Sequence, residues 1–218
     1  SMGADIRGAG TDVIKIYGVS HLGGTTYSII PDQIEAGTYM VAAAATCGDV
    51  LVKNVIPKHL ESITAKLEEM GVNVEEYDDS IRISRGGPLT KCNIKTMPHP
   101  GFPTDMQSQM MTLLSRRKGS GIIIENIFEN RFGTAKMLNK MGADIKIIGD
   151  RIALINGVDK LYGEKVEATD LRGGASLIIA GMIAENHTII ENAEFIKRGY
   201  ESIERDLGKL GADIELVD

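Results

Sequence analysis

The sequence predicts a mixed α+β fold made of three repeated units that close around one shared core. Three observations carry this expectation. A four-residue phrase recurs at Gly3-Ala4-Asp5-Ile6, Gly71-Val72-Asn73-Val74, Gly142-Ala143-Asp144-Ile145 and Gly211-Ala212-Asp213-Ile214. Its spacings of 68, 71 and 69 residues are too long for the common solenoid repeats. Between copies, helical and strand-like periods alternate in the same order each time.

Each unit reads strand, helix, strand, helix and then two strands. After a leading strand, an Asp opens an apolar-rich helix at Asp32, Asp105 and Asp170. A β-rich run ending in Asn follows, at 50–54, 122–126 and 188–192. The second helix is amphipathic. Ile63, Leu67 and Met70, then Leu138 and Met141, then Ile203, Leu207 and Leu210 fall at offsets of three, four and seven, which puts each set on one face. The Gly of the repeated phrase suits a left-handed helix C-cap. Alternating segments such as Ile81-Arg82-Ile83 and Ile152-Ala153-Leu154 supply the closing strands.

The first copy of the phrase has no helix before it, so the chain is expected to enter in the middle of a repeat. Residues 1–22 are read as a cloning remnant (Ser1-Met2) and the tail of a preceding, absent domain. Residues 23–218 are read as the three-repeat domain. The junction is expected at Gly23-Gly24, before Pro31-Asp32 opens the first full helix.

Composition narrows the function. Apolar residues make up 43% of the 218, enough for a real core. No apolar run approaches the ~20 residues that span a bilayer, so no membrane partner is expected. A net charge of −6, sparse aromatics and the absence of Trp argue against nucleic-acid binding. Cys47 and Cys92 lack metal-ligand spacing and are read as reduced thiols. The four histidines are scattered, and no metal or cofactor is expected.

The candidate chemistry lies at the repeat junctions. In the stiff stretch His99-Pro100-Gly101-Phe102-Pro103-Thr104-Asp105-Met106-Gln107, two readings fit Asp105. It is an N-cap for the helix, or a carboxylate held at a rigid junction and able to act as a general base. Asp170 has the matching place in Thr169-Asp170-Leu171-Arg172-Gly173-Gly174. Arg172 is oddly sited, because the macrodipole disfavours a cation in the first turn of a helix. An anionic ligand there would resolve the conflict. Arg131 and Arg198 hold matching places in two units, with Lys58 near the third; if these corners converge, they form an anion-binding face. Other features read as structural. Arg116-Arg117-Lys118-Gly119 ends a helix, Gly8-Ala9-Gly10 is a turn, and Met106, Met110 and Met111 pack the core.

Four phrases together resemble the UDP-N-acetylglucosamine enolpyruvyl transferases. They are Pro98-His99-Pro100 with Phe102-Pro103-Thr104-Asp105-Met106-Gln107, then Phe128-Glu129-Asn130-Arg131-Phe132, then Ala168-Thr169-Asp170-Leu171-Arg172, and Arg198-Gly199-Tyr200-Glu201. The resemblance runs over essentially the whole chain after Ser1-Met2. It implies an α/β prism (an inside-out barrel) of three βαβαββ units, forming the C-terminal half of a two-domain enzyme with its site in the cleft. It also implies transfer of enolpyruvate from phosphoenolpyruvate to the 3-hydroxyl of UDP-N-acetylglucosamine, for peptidoglycan precursors, in the bacterial cytoplasm.

Carried over by position, Asp105 takes the proton from the sugar hydroxyl. Ile127 meets the UDP-sugar through its backbone, and Arg131 lies near it. Arg172 and Arg198 bind phosphoenolpyruvate, and Asp170 orients groups at the reacting centre. The Lys-Asn pair and the mobile Cys- or Asp-bearing loop of the family belong to segments absent here, so the chain alone is expected to be inactive. Neither Cys47 nor Cys92 matches the loop position. Alternative readings are a fragment of a shikimate 3-phosphate enolpyruvyl transferase and a non-catalytic repeat domain. The Phe-Pro-Thr-Asp-Met-Gln and Phe-Glu-Asn-Arg-Phe phrases favour the UDP-sugar enzyme. The related RNA 3′-phosphate cyclases are expected to carry a reactive His and basic surface not found here.

Overall fold

All four glycines of the repeated phrase take a left-handed backbone in the computed structural model, which describes residues 1–218 apart from Asp12, Arg117 and Asp218. Their φ values are 90° at Gly3, 87° at Gly71, 92° at Gly142 and 101° at Gly211. A side chain there would be strained, and at Gly71, Gly142 and Gly211 glycine ends a helix cheaply. Of the basic run at 116–118, Arg117 lies outside the described residues.

The chain divides into two compact units, 1–31 and 32–218. The expected junction at Gly23-Gly24 falls inside the first. That unit holds β1 (Asp5–Arg7) antiparallel to β2 (Lys15–Tyr17), with Ile6 opposite Ile16. Both isoleucines are exposed. No strand forms among residues 18–31, where the leading strand of the first full unit was expected.

The second unit follows the repeat. Its first part runs α1 (Gln33–Ala45), β3 (Asp49–Lys53), α2 (Pro57–Glu69), β4 (Asn73–Glu76) and β5 (Ser80–Ser84). Its second runs β6 (Ile94–Lys95), a 3-10 turn (Thr104–Met106) leading into α3 (Gln107–Ser115), β7 (Ser120–Ile124), α4 (Gly133–Lys140), β8 (Asp144–Ile148) and β9 (Ile152–Asn156). Its third runs β10 (Leu161–Tyr162), β11 (Lys165–Glu167), α5 (Leu171–Ile183), β12 (Ala184–Glu185), β13 (Ile189–Glu191), a 3-10 turn (Ala193–Arg198) and α6 (Ile203–Lys209).

The helices sort into two classes. α1, α3 and α5 pack against one another and are buried nearly all round, as their apolar composition requires. Glycines let neighbouring elements approach these helices. A Cβ on Gly174 would come within 2.5 Å of Ile196, and one on Gly37 within 3.0 Å of Ile63 and Met106. α2, α4 and α6 bury one stripe each: Leu60, Ile63 and Leu67; Ala135, Met137 and Leu138; Ile203 and Leu207. Each fully buried Leu or Ile contributes roughly 1.5–3 kcal/mol. Met106, Met110 and Met111 are buried in the same core.

The strands form sheets ordered β3-β5-β4 and β6-β7-β9-β8, plus the parallel pairs β11-β13 and β10-β12. In the four-stranded sheet, Gly121 faces Ile155 and Ile123 faces Ala153 on the core side. Helices inside and sheets outside make the expected inside-out prism.

The third repeat departs from the pattern. Residues 212–217 form no strand. Leu210, expected in the core, is 57% exposed. Its counterparts Met70 and Met141 are buried under returning chain, where Thr90 and Tyr162 donate their N–H to the Met70 and Met141 carbonyls. No such segment covers Leu210 among the described residues. None of the described helices is long and apolar enough to cross a membrane.

Candidate active site

The site is built where the three inner helices begin. Asp32 caps α1, its Oδ1 accepting from the N–H of Ile34 at 2.7 Å and of Glu35 at 3.4 Å. Asp170 caps α5, accepting from the N–H of Arg172 at 3.0 Å and of Gly173 at 2.8 Å. Asp105 does not cap. It sits inside the 3-10 turn, and no backbone N–H donates to its carboxylate among the described residues. The N-cap reading therefore holds at two of the three repeats and fails at the middle one.

The Asp105 carboxylate is held instead by two guanidinium groups. Arg131 Nη2 donates to Oδ1 at 2.6 Å, and Arg172 Nε donates to Oδ2 at 3.3 Å. Arg172 was expected to need an anionic ligand at its helix start. The anion in this structure is the protein's own Asp105, and charge-assisted bonds of this kind are the strong ones.

Arg172, in the first turn of α5, is linked to α1 and α3 through a chain of hydrogen bonds. Its side chain is 14% exposed. Its Nη1 donates to the Tyr200 hydroxyl at 3.3 Å, and the guanidinium lies 5.8 Å from the Tyr200 ring centre. Tyr200 is buried, and burial pushes its phenol pKa up. Its hydroxyl meets Thr38 Oγ1 of α1 at 2.7 Å, and Gln109 Nε2 of α3 donates to the same Thr38 oxygen at 3.0 Å.

Arg131 comes from the loop between β7 and α4. Its guanidinium lies 4.9 Å from the Phe128 ring centre. The loop is organised by Glu125, which is fully buried. Glu125 Oε1 accepts from Thr96 Oγ1 at 2.8 Å, from the Ile127 N–H at 2.8 Å and from the Phe128 N–H at 3.2 Å. Its Oε2 accepts from Thr104 Oγ1 at 2.8 Å. The Ile127 N–H is thereby engaged within the loop.

Asp170 lies beside this loop's end. Thr169 Oγ1 donates to Asp170 Oδ2 at 3.2 Å, and a Cβ on Gly133 would sit 3.5 Å from that same Thr169 oxygen. Arg198 ends the 3-10 turn that packs on α5. It is exposed and makes no hydrogen bond or ion pair among the described residues. Its neighbour Gly199 abuts Arg172, since a Cβ there would lie 3.5 Å from Arg172 Nη1. Lys58 is exposed in the first turn of α2, and the geometry ties it to none of these groups. The arrangement thus gathers two guanidinium groups, those of Arg131 and Arg172, against the Asp105 carboxylate. Such a face attracts anions. Among the described residues no group of three or more His, Cys, Asp and Glu could hold a metal ion.

Sequence reasoning missed Glu125, Thr38 and Gln109, and quoted Tyr200 without a role. A signal existed for three of them. Glu125 ends the apolar run Gly121-Ile122-Ile123-Ile124, and Thr38 and Gln109 are polar residues in helices otherwise fit for burial.

Comparison with known proteins shows the family of the chain. The sequence model of the family described as EPSP synthase (3-phosphoshikimate 1-carboxyvinyltransferase) matches residues 1–207. The chain is 59% identical over 214 residues to a UDP-N-acetylglucosamine 1-carboxyvinyltransferase of Desulfofundulus thermocisternus, covering 98% of this chain and 88% of that protein. It is 61% identical to UDP-N-acetylglucosamine 1-carboxyvinyltransferase 3 of Caldanaerobacter subterraneus and 58% identical to the Clostridium botulinum protein of the same enzyme name, in each case over 98% of this chain and 51% of the relative. The chain thus spans about half the length of these last two. Among solved structures, the enolpyruvyl transferase NikO from Streptomyces tendae matches with a TM-score of 0.86 and 28% identity, over 98% of this chain and 51% of that one. An EPSP synthase from Acinetobacter baumannii shares the fold, with a TM-score of 0.78 and 21% identity, over 100% of this chain and 53% of that one.

Proposed function

This chain belongs to the UDP-N-acetylglucosamine 1-carboxyvinyltransferases within the wider EPSP synthase family, and from that premise we propose that it is the C-terminal half of such an enzyme. Residues 1–22 are then the tail of the N-terminal domain, and 23–218 are the C-terminal domain. The reaction moves enolpyruvate from phosphoenolpyruvate to the 3-hydroxyl of UDP-N-acetylglucosamine and releases phosphate. Its place is peptidoglycan precursor synthesis in the bacterial cytoplasm, with no cofactor. The observation that carries the reading is Asp105, the one helix-opening Asp not engaged as a cap, gripped by Arg131 and Arg172.

The chemistry follows from those groups. The sugar oxygen attacks C2 of phosphoenolpyruvate while the methylene carbon gains a proton, giving a tetrahedral phospho-ketal. That carbon then loses a proton, and the bond from C2 to the phosphate oxygen breaks. Asp105 accepts the proton of the sugar hydroxyl. Arg172 and Arg198 bind the phosphate and carboxylate of phosphoenolpyruvate and the charge that develops on them. An anion drawn to Arg172 competes with Asp105 for that guanidinium and so frees the carboxylate for the hydroxyl. Arg131 and the Ile127 carbonyl face the UDP-sugar, and Asp170 orients the groups between them. The opposing domain closes the cleft and excludes water, so the half alone does not turn over.

Identities of 58–61% to the UDP-sugar enzymes, against 21% to the EPSP synthase structure, favour the UDP-sugar as acceptor over shikimate 3-phosphate. The test is phosphate release by the full-length transferase with phosphoenolpyruvate and either acceptor. Release with the UDP-sugar alone is expected. Release with the shikimate acceptor alone overturns the substrate, and release with neither returns the non-catalytic repeat domain to first place.

A further inference from the structure

We propose that Glu125 is a positioning residue for the acceptor side of this site, holding Asp105 and Arg131 in register through one buried carboxylate. The proposal rests on the function proposed above.

A buried carboxylate is costly to desolvate, and an apolar residue of similar size would often stabilise the fold as well or better. Glu125 is fully buried and is compensated by four hydrogen-bond donors, two hydroxyls and two backbone amides. Those donors are not scattered. Thr104 directly precedes Asp105. Ile127 and Phe128 lead into Arg131, and the Phe128 ring lies under the Arg131 guanidinium. The 2.6 Å pair of Arg131 with Asp105 joins the two arms at their other end. Glu125 thus closes a ring that runs through Thr104, Asp105, Arg131 and Phe128. Thr96 anchors the ring to the sheet, since its hydroxyl donates to Glu125 and accepts from the Asn126 N–H at 2.9 Å.

The pseudo-repeats supply an independent comparison. The residue before the strand-ending Asn is Lys53 in the first unit, Glu125 in the second and Glu191 in the third. Lys53 and Glu191 are exposed, and Glu191 pairs with Lys165 at 2.8 Å across the sheet surface. Only the second unit buries this position, and it is the unit whose helix-opening Asp is left uncapped. The brace and the uncapped carboxylate occur together.

The experiment compares Glu125→Gln, Thr104→Val and Thr104→Ser in the full-length transferase, with phosphoenolpyruvate and UDP-N-acetylglucosamine as substrates. Gln keeps the shape, and the Thr104 hydroxyl can turn to accept from its amide, so folding is expected to survive. Exchanging charge-assisted bonds for neutral ones should lower kcat about tenfold. KM for the sugar should rise, and KM for phosphoenolpyruvate should stay unchanged. Thr104→Val should follow the same direction and Thr104→Ser should restore it. If Glu125→Gln does not fold, the Thr104 pair decides. Wild-type kcat and KM in Thr104→Val and in any folded Glu125→Gln overturn the proposal, even if thermal stability drops, because a merely structural brace moves stability alone. A second readout uses this chain by itself. Amide hydrogen exchange at Ile127 and Phe128 should quicken about tenfold in Glu125→Gln while Ile123 is unchanged. Unchanged exchange at Ile127 and Phe128 also overturns it. If the wild-type enzyme shows no turnover, the function reading has failed and the exchange measurement still judges Glu125.

Discussion

The helices α3 and α5 are entered through the same two residues, Thr104-Asp105 and Thr169-Asp170, at the same place in their repeats, yet the two carboxylates have different partners. Asp170 has extended backbone at φ −161° and ψ 173° and caps α5 through two N–H groups. Asp105 lies one residue inside a 3-10 turn whose N-cap position is Pro103. This shift of two residues past the N-cap position removes the carboxylate from the free N–H groups and turns it toward Arg131 and Arg172. A repeated sequence therefore does not impose a repeated role. The cap stabilises the fold in one unit, and the unused cap leaves a carboxylate for chemistry in another.

The largest effect that would test this contrast is on turnover. Asp105→Ala in the full-length transferase should lower kcat by ~10²–10⁴, the usual contribution of a positioned proton acceptor. Turnover at the wild-type rate would remove Asp105 from the mechanism.

A smaller effect sharpens the contrast as a matter of stability. Asp170→Ala should cost about 1 kcal/mol through the lost cap, and Asp170→Gly only a few tenths, because Gly suits the cap geometry. At Asp105 the order should invert, with Gly worse than Ala by up to about 1 kcal/mol, because the residue lies within a helical turn. Chemical denaturation of the four variants reads both orders. The same order at both positions would show that Asp105 also caps.

The smallest effect concerns two phenols, the half-buried Tyr39 and the buried Tyr200. Burial, reinforced by Asp206 and Glu35, pushes Tyr39 up from 10.0 to about 12, and burial raises Tyr200 in the same direction. The folded state thus holds these protons more tightly than the unfolded chain. The Tyr39 contribution is fully present below about pH 10 and is lost as the pH rises toward about 12. Tyr39→Phe should lose less stability across that window than the wild type in denaturant titrations. Parallel losses would mean that Tyr39 does not titrate there.

The repeat architecture was legible in the sequence because it is written in local terms. Apolar spacing marks a buried face, a terminal Gly marks a left-handed cap, and both are short-range consequences of backbone geometry. The amphipathic helices around Ile63, Leu138 and Ile203 follow from that, as does the placing of Met106, Met110 and Met111 in the core. Leu210 shows the limit. Its helical spacing matches Met70 and Met141, but burial also needs chain from elsewhere to lie over it.

The sequence by itself determined the three-unit pattern, the helix ends and the placing of Asp and Arg residues at the repeat junctions. Only the tertiary structure decided which Asp is a cap and which is bound by arginines, that the anion facing Arg172 is Asp105, and that Glu125 is buried. The physical reason is distance along the chain. Arg172 meets Asp105 across 67 residues, and Tyr200 meets Thr38 across 162. No local spacing encodes those meetings. They exist because three buried helices pack with their starts at one end, and that packing belongs to the whole core.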